Sequence, residues 1–214
     1  MLMSQTDTKT RIIEAAIEVF LEKGYAASTI RDICARAEAN VAAVNYHFGS
    51  KDSLYAASLE LIMGTCQASY PIAEGIAEAA SPEERLRRFI LNFLRLIFPQ
   101  DPEYARRSEL IWLEFGNPTP ALAHLMERFI RPIKDLIESI VQESIGTQDS
   151  ETSQFCVASI VGQQLFHAQN KAFLKHIYPE RTYLPEDVER LADHVYNFSL
   201  AGLKALSDIQ KKVN

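Results

Sequence analysis

Near its start the chain repeats apolar side chains every three or four positions. Ile13, Ala16, Ile17, Phe20 and Leu21 form one stripe, while Glu14, Glu18, Glu22 and Lys23 cover the rest of the surface, the pattern of an amphipathic helix. Gly24 follows, where a glycine can close a helix in the left-handed conformation. The pattern therefore predicts a first helix over residues 8–23. Ser28 and Thr29 then read as an N-cap, with Asp32 three positions past Thr29 as a short variant of the capping box. The helix they open, residues 30–37, is too short to stand alone. Asn40 is placed to cap a second short helix over 41–48, which Gly49 ends. Ser50 is placed to cap a longer helix running from 51 into the sixties.

From residue 81 the helices lengthen. Ser81-Pro82-Glu83-Glu84 places a cap, a proline at the first helical position and acids in the first turn. Leu86, Phe89, Ile90, Phe93, Leu94 and Ile97 give that helix its buried face, and Pro99 stops it. Further helices are expected over 103–115, over 120–145 with a kink near Pro132, over 153–178, and from Pro185 to about residue 211. No run alternates as a strand would. The expected fold class is all-α: a three-helix head over residues 1–52 joined to a larger helical body over 53–214. Two short helices joined by a turn and backed by a longer one describe a helix-turn-helix. Such a short helix can lie in the major groove with its N-terminal side chains against base edges. Exposed N–H groups at a helix start attract phosphate.

Composition changes this picture little. The 214 residues are 47% apolar and 23% charged, an ordinary globular balance. The net charge of −6 does not advertise nucleic-acid binding. Residues 1–55 hold six Lys/Arg against seven Asp/Glu, so DNA binding rests on local geometry. Cys34, Cys66 and Cys156 are odd in number and far apart, which argues against a disulfide framework and a zinc site and for buried small hydrophobes. No stretch approaches the ~20 apolar residues of a membrane span, and residues 1–11 lack the apolar core of a signal peptide, so the expected compartment is the cytoplasm. An enzyme is not expected. The chain has no Walker-type loop, no dinucleotide fingerprint and no His-Glu-x-x-His, and His124 with Glu127 supplies only two potential ligands. No cofactor, metal or catalytic residue is implied. A helical adaptor that binds only protein is the rival from another class.

Over residues 12–55 the resemblance is to a known family. Ile13-Glu14-Ala15-Ala16 with Phe20 and Gly24-Tyr25, then Ser28-Thr29-Ile30-Arg31-Asp32-Ile33, then Tyr46-His47-Phe48-Gly49-Ser50-Lys51 with Leu54-Tyr55, resemble the DNA-binding head of the TetR family of regulators. The resemblance implies that residues 41–47 form the recognition helix of a repressor acting on double-stranded operator DNA. Ala42, Ala43 and Asn45 would face bases, alanine methyls suiting thymine methyls and the Asn45 amide a base edge. Tyr46, His47 and Lys51 match positions that clamp phosphates, as do Thr29 and Arg31, and Asn40 opens the helix beside them. Phe48 and Tyr55 would be core. For Tyr46 and His47, packing inside the head is the alternative. The chain departs from the family at Glu38, where glycine is usual. A left-handed conformation there would cost a non-glycine roughly 1 kcal/mol.

The family resemblance also implies a two-fold homodimer presenting two heads to a palindrome through its last two long helices. Val188, Leu191, Ala192, Val195, Phe198, Ser199, Gly202 and Leu206 offer one face, and Val157, Ile160, Val161, Gln164, Leu165 and Ala168 the other, in a four-helix bundle. Alternatively these faces serve only the protomer core. Residues 159–203, with Asn40-Val41-Ala42-Ala43-Val44-Asn45-Tyr46 in the head, are similar to the CecR-like subgroup. Family members generally bind a small effector in the body, and a mostly apolar or aromatic one suits the candidates here. These are Tyr70, Phe89, Phe93, Trp112, Phe115, His124, Phe129, Phe166, His167 and Asn170, with Gln163 and Gln164 beside His167. A regulator without any ligand is the remaining alternative.

Overall fold

The computed structural model describes residues 5–213, and every regular element among them is helical. Helix α1 (Gln5–Ala27) leaves the helical path at Gly24, whose φ of 74° and ψ of 163° only glycine adopts readily. Helix α2 (Ile30–Ala37) starts at the expected cap. The Thr29 hydroxyl accepts from the Asp32 N–H, and Asp32 accepts from the Thr29 N–H at 3.0 Å. Helix α3 (Val41–Phe48) is capped by the Asn40 side chain, which accepts from the Ala43 N–H at 2.7 Å, and Gly49 closes it at a φ of 76°. Helix α4 spans Lys51–Ser69. Between α2 and α3, Glu38 takes the left-handed conformation (φ 48°, ψ 44°) and is the single non-glycine with positive φ among the described residues. The chain ends α2 there all the same, because the Ala39 N–H reaches back to the Cys34 carbonyl at 3.0 Å.

The later helices are α5 (Pro82–Ile97), α6 (Pro102–Gly116), α7 (Ala121–Leu125), α8 (Arg131–Ile145), α9 (Ser150–Gln169), α10 (Lys171–Ile177) and α11 (Pro185–Val213). Two expected continuous helices are divided. The 120–145 segment is α7 and α8 with one π-helical turn, Met126–Ile130, between them. Pro132 has no N–H to bond residue 128 and its ring crowds that carbonyl, so the irregular turn lies immediately before it. The 153–178 segment breaks at Asn170 (φ −112°, ψ 25°), whose side-chain amide donates to the Phe166 carbonyl at 2.9 Å. No helix among the described residues is long and apolar enough to cross a membrane.

The chain divides into two compact units. One runs up to Thr65 and includes Pro102–Ile130; the other comprises Cys66–Asp101 and the chain from Arg131 onward. In the first, Ile12, Ala16, Ile17 and Phe20 of α1 are buried with Ile33, Val44, Leu54, Leu59 and Leu110. Phe20 meets the Tyr55 ring edge-on at 4.8 Å. Arg106 pairs with Glu18, and Arg107 with Glu14 at 2.6 Å, so α6 is tied to α1 by charge as well as by packing. In the second, α5 packs on α8 and α11, and α9 on both of these. Leu86, Phe89, Ile90 and Leu94 meet Ile137, Ile140, Val188 and Val195 in its core.

Buried Asn92 of α5 donates its amide to the carbonyls of Ile72 (3.0 Å) and Glu74 (2.9 Å), which holds the turn after α4 in place. Replacing Asn92 by Leu leaves both carbonyls without that donor and should lower stability by about 1–3 kcal/mol in urea unfolding. An unchanged midpoint would mean that water serves the turn equally well. Glu38→Gly should act in the other direction, raising stability by about 0.5–1 kcal/mol through relief of the left-handed backbone.

Candidate nucleic-acid interface

Helix α3 has eight residues and one fully buried side chain, Val44. The remainder divides by helical phase. Val41, Ala42, Asn45 and Tyr46 form an exposed face, Tyr46 at 74% exposure, while Ala43, His47 and Phe48 are half-buried. Of the expected base-facing residues, Ala42 and Asn45 therefore stand together on open surface and Ala43 lies at its edge. Val41, outside the expected base-facing set, is 44% exposed beside Ala42. Asn40 uses its side-chain oxygen on the cap. The Tyr46 and His47 rings meet edge-on at 5.0 Å, and Lys9 stands 5.9 Å from the Phe48 ring centre.

Lys51 is engaged inside the head. Its ammonium donates to the backbone carbonyls of Tyr25 (2.7 Å) and Ser28 (3.0 Å) and lies 4.4 Å from the Tyr25 ring centre. The Tyr25 hydroxyl donates to Asp52 at 2.5 Å, which pushes the phenol up to about 12, and the buried Ser28 hydroxyl donates to the Tyr25 carbonyl. The start of α4 is thus fastened to the turn between α1 and α2. The same turn presents Thr29 and Arg31 on the surface, and Arg31 forms no ion pair among the described residues. Lys23 bonds Asp32 at 2.7 Å. That bond first, and the Thr29 hydroxyl next, hold the Asp32 carboxyl down at about 2.

The body candidates are dispersed. Phe89 and Phe93 are buried in the second unit and stack on each other at 5.8 Å. The Tyr70 hydroxyl accepts from the Gln100 and Asp101 N–H groups. Gln163 donates to Ser159 and Ser199, and Gln164 is fully buried. Trp112, Phe115, His124 and Phe129 belong to the first unit, where Trp112 meets Phe115 edge-on and His124 lies 3.6 Å from Glu60. Phe166 and His167 line a cleft between α9, α10 and α11. The three cysteines are buried, and burial pushes the Cys34 and Cys156 thiols up.

The face expected to join two protomers is mostly turned inward. Ile160, Gln164, Val188, Ala192, Val195 and Ser199 are buried in the second unit, and Val157, Val161, Leu165, Ala168, Leu191 and Leu206 are half-buried. Phe198 (67%) and Gly202 are exposed. The open faces are instead Phe155, Ala158, Ser159, Gly162 and Phe166 on α9, and His194, Phe198, Ala201, Gly202 and Ile209 on α11. Both stripes follow helical spacing, displaced around each helix from the expected ones.

Two family models match the chain: "Bacterial regulatory proteins, tetR family" over residues 12–58, and "HTH-type transcriptional dual regulator CecR, C-terminal domain" over residues 82–203. The second alone covers more than half of the chain. The chain belongs to the TetR family. Its head and fold are those of TetR-family regulators, with a body of the CecR type. The dual regulator CecR of Shigella flexneri is 28% identical over 161 residues, 71% of each chain. The repressor NicS of Pseudomonas putida is 32% identical over 99 residues, 45% of this chain and 44% of NicS. Among solved structures, FadR of Bacillus subtilis in complex with stearoyl-CoA aligns at a TM-score of 0.65 and 19% identity over 90% of this chain and 98% of its own. PfmR of Thermus thermophilus aligns at 0.60 and 20% over 89% and 97%.

In this TetR-family head the capping box has a pH signature. The folded Asp32 pKa is depressed from 3.8 to about 2. Its stabilising contribution is therefore complete above pH 3.8 and is lost as pH falls toward 2. Unfolding midpoints of Asp32→Asn should lie below those of the wild-type protein at neutral pH and converge with them across that interval. Parallel curves would show that the carboxylate charge is immaterial to the cap.

Proposed function

We propose that the chain is a repressor that binds a palindromic operator as a homodimer and is released from it by a small, largely apolar effector, working in the cytoplasm without cofactor or catalysis. Residues 1–52 would be the DNA-binding domain, and 53–214 the ligand-binding and dimerisation domain. The observation that carries the reading is the exposed face of α3. A short helix with Val41, Ala42, Asn45 and Tyr46 open to solvent, anchored from behind by Val44, suits insertion in a major groove. Asn45 would read a base edge, and Ala42 with Val41 would meet thymine methyls. Tyr46, Thr29 and Arg31 would hold the backbone on either side, with His47 at the edge. Lys51, its ammonium engaged by two carbonyls, would act on phosphate chiefly by placing the start of α4 and the turn beside it.

Dimerisation would use the open faces of α9 and α11, with Gly162, Ala201 and Gly202 permitting close approach. Several relatives carry repressor or negative regulator in their names, NicS among them, whereas CecR is a dual regulator. FadR was solved with stearoyl-CoA, which supports an apolar effector for a chain of the same fold.

Fragments of the source genome selected on the protein would supply the operator for gel-shift measurements. Asn45→Ala should relax preference at particular base pairs by about 1–3 kcal/mol. Arg31→Ala should weaken binding to every sequence and lower the salt slope by about one unit. If both variants discriminate and respond to salt as wild type does, α3 and its flank are not the interface. Phe198→Asp should yield monomers by light scattering with much weakened operator binding; intact dimers would remove α11 from the contact.

A further inference from the structure

The last turn of α9, α10, the 178–184 loop and the first turns of α11 enclose a cleft of about 660 Å³, within the ~300–1,000 Å³ of small-molecule sites. Its walls are Phe166, Phe173, Leu174, Ile177, Tyr178 and Leu191. Phe173, Ile177 and Tyr178 remain 51–58% exposed, and Leu174 is the one buried residue of α10. So short a helix would not keep three large apolar side chains in water to build its own core.

One edge of the cleft is polar and rigid. His167 Nδ1 lies 3.2 Å from the Tyr183 hydroxyl, and the Tyr183 ring stacks on Phe98 at 4.4 Å with planes 9° apart. Burial first, then the charges of Arg181 and His194, holds His167 below its usual range, which favours the neutral imidazole. The charged groups facing the cleft are Arg181, Arg190, His194, Glu180 and Asp187. Arg190 is bound to Asp187, whose carboxylate also accepts from the Thr182 hydroxyl. Arg181 lies 4.5 Å from the Tyr178 ring centre and forms no ion pair among the described residues, Glu180 included. The cleft thus offers aromatic walls and a guanidinium that bonds the Tyr183 side chain but no carboxylate among the described residues, so its planar fork keeps donors that match a carboxylate.

We propose that this cleft binds a planar aromatic carboxylate, its ring against Phe166, Phe173 and Tyr178 and its carboxylate on Arg181. This rests on the effector part of the function proposed above only for its consequence. Phe166 and His194 also belong to the open faces of α9 and α11, so a ligand there would bear on how two protomers meet.

Calorimetric titration of the full-length protein with 2-naphthoate tests the assignment. Saturable binding of one molecule per chain is expected. Arg181→Ala should weaken it tenfold or more, and Glu180→Gln should tighten it twofold or more, because the two exposed neighbours act on the carboxylate with opposite sign. Neutral 2-naphthamide should bind wild type and Arg181→Ala alike, and Leu191→Trp, which fills the cleft, should abolish both ligands. Absence of naphthoate binding, as when a second protomer fills the cleft, overturns the proposal. So do equal or same-direction responses to the two charge changes. Operator gel shifts in parallel separate the readings: naphthoate binding with the stated responses but unchanged operator affinity supports the site and removes this ligand's effector role.

Discussion

Eight residues do not hold a helix in water, because fixing the first turn costs more than so few hydrogen bonds return. Val41–Phe48 is held instead by what surrounds it: the Asn40 cap at one end, Gly49 at the other and Val44 sunk into the core beneath. Behind it, the Lys51 ammonium joins α4 to the turn between α1 and α2 through two carbonyls, with the Tyr25–Asp52 and Ser28–Tyr25 bonds alongside. These contacts fix the backbone on both flanks of α3, so its exposed side chains can meet a partner without first being ordered. Preorganisation of this kind reduces the entropy lost on binding.

The same unit shows how an acidic head can suit a polyanion. Its carboxylates are largely occupied. Glu14 and Glu18 face Arg107 and Arg106, Glu22 faces Arg36, and Asp32 faces Lys23. Asp52 accepts from Tyr25. Pairing cancels their field at short range, while Arg31 remains uncommitted at the start of α2. Net charge summed over sequence is therefore a poor guide to the field at a particular surface.

Much of the fold was legible because local signals agree. Thr29 with Asp32, Asn40, Gly49 and Ser81-Pro82 each start or stop a helix where the chain does. The left-handed conformation at Glu38 could be anticipated from a missing glycine. The two misplaced continuities, at Met126–Ile130 and at Asn170, turn on the hydrogen bond that Pro132 cannot make and on the non-helical backbone of Asn170, whose N–H and side-chain amide both end on the Phe166 carbonyl. A periodicity that spans such a point does not register it. The open faces of α9 and α11 overlap the expected ones only at Phe198 and Gly202, because Val, Ile and Leu mark a face as apolar without saying whether it meets its own protomer or another. Phe155, Phe198 and Ile209 are what remain once α5 and α8 have taken the rest. Lys51 looked like a free cation in sequence because its acceptors are main-chain carbonyls that only the folded turn brings near.

The central claim is that α3 enters the major groove of operator DNA, twice per dimer. Hydroxyl-radical and methylation footprinting of the protein on a selected genomic fragment tests it most directly. The account predicts two symmetric protected patches with blocked guanine N7 positions, their centres separated by about one helical turn or a multiple of it. A single patch, protection confined to the minor groove, or two patches without a symmetric relation would contradict it.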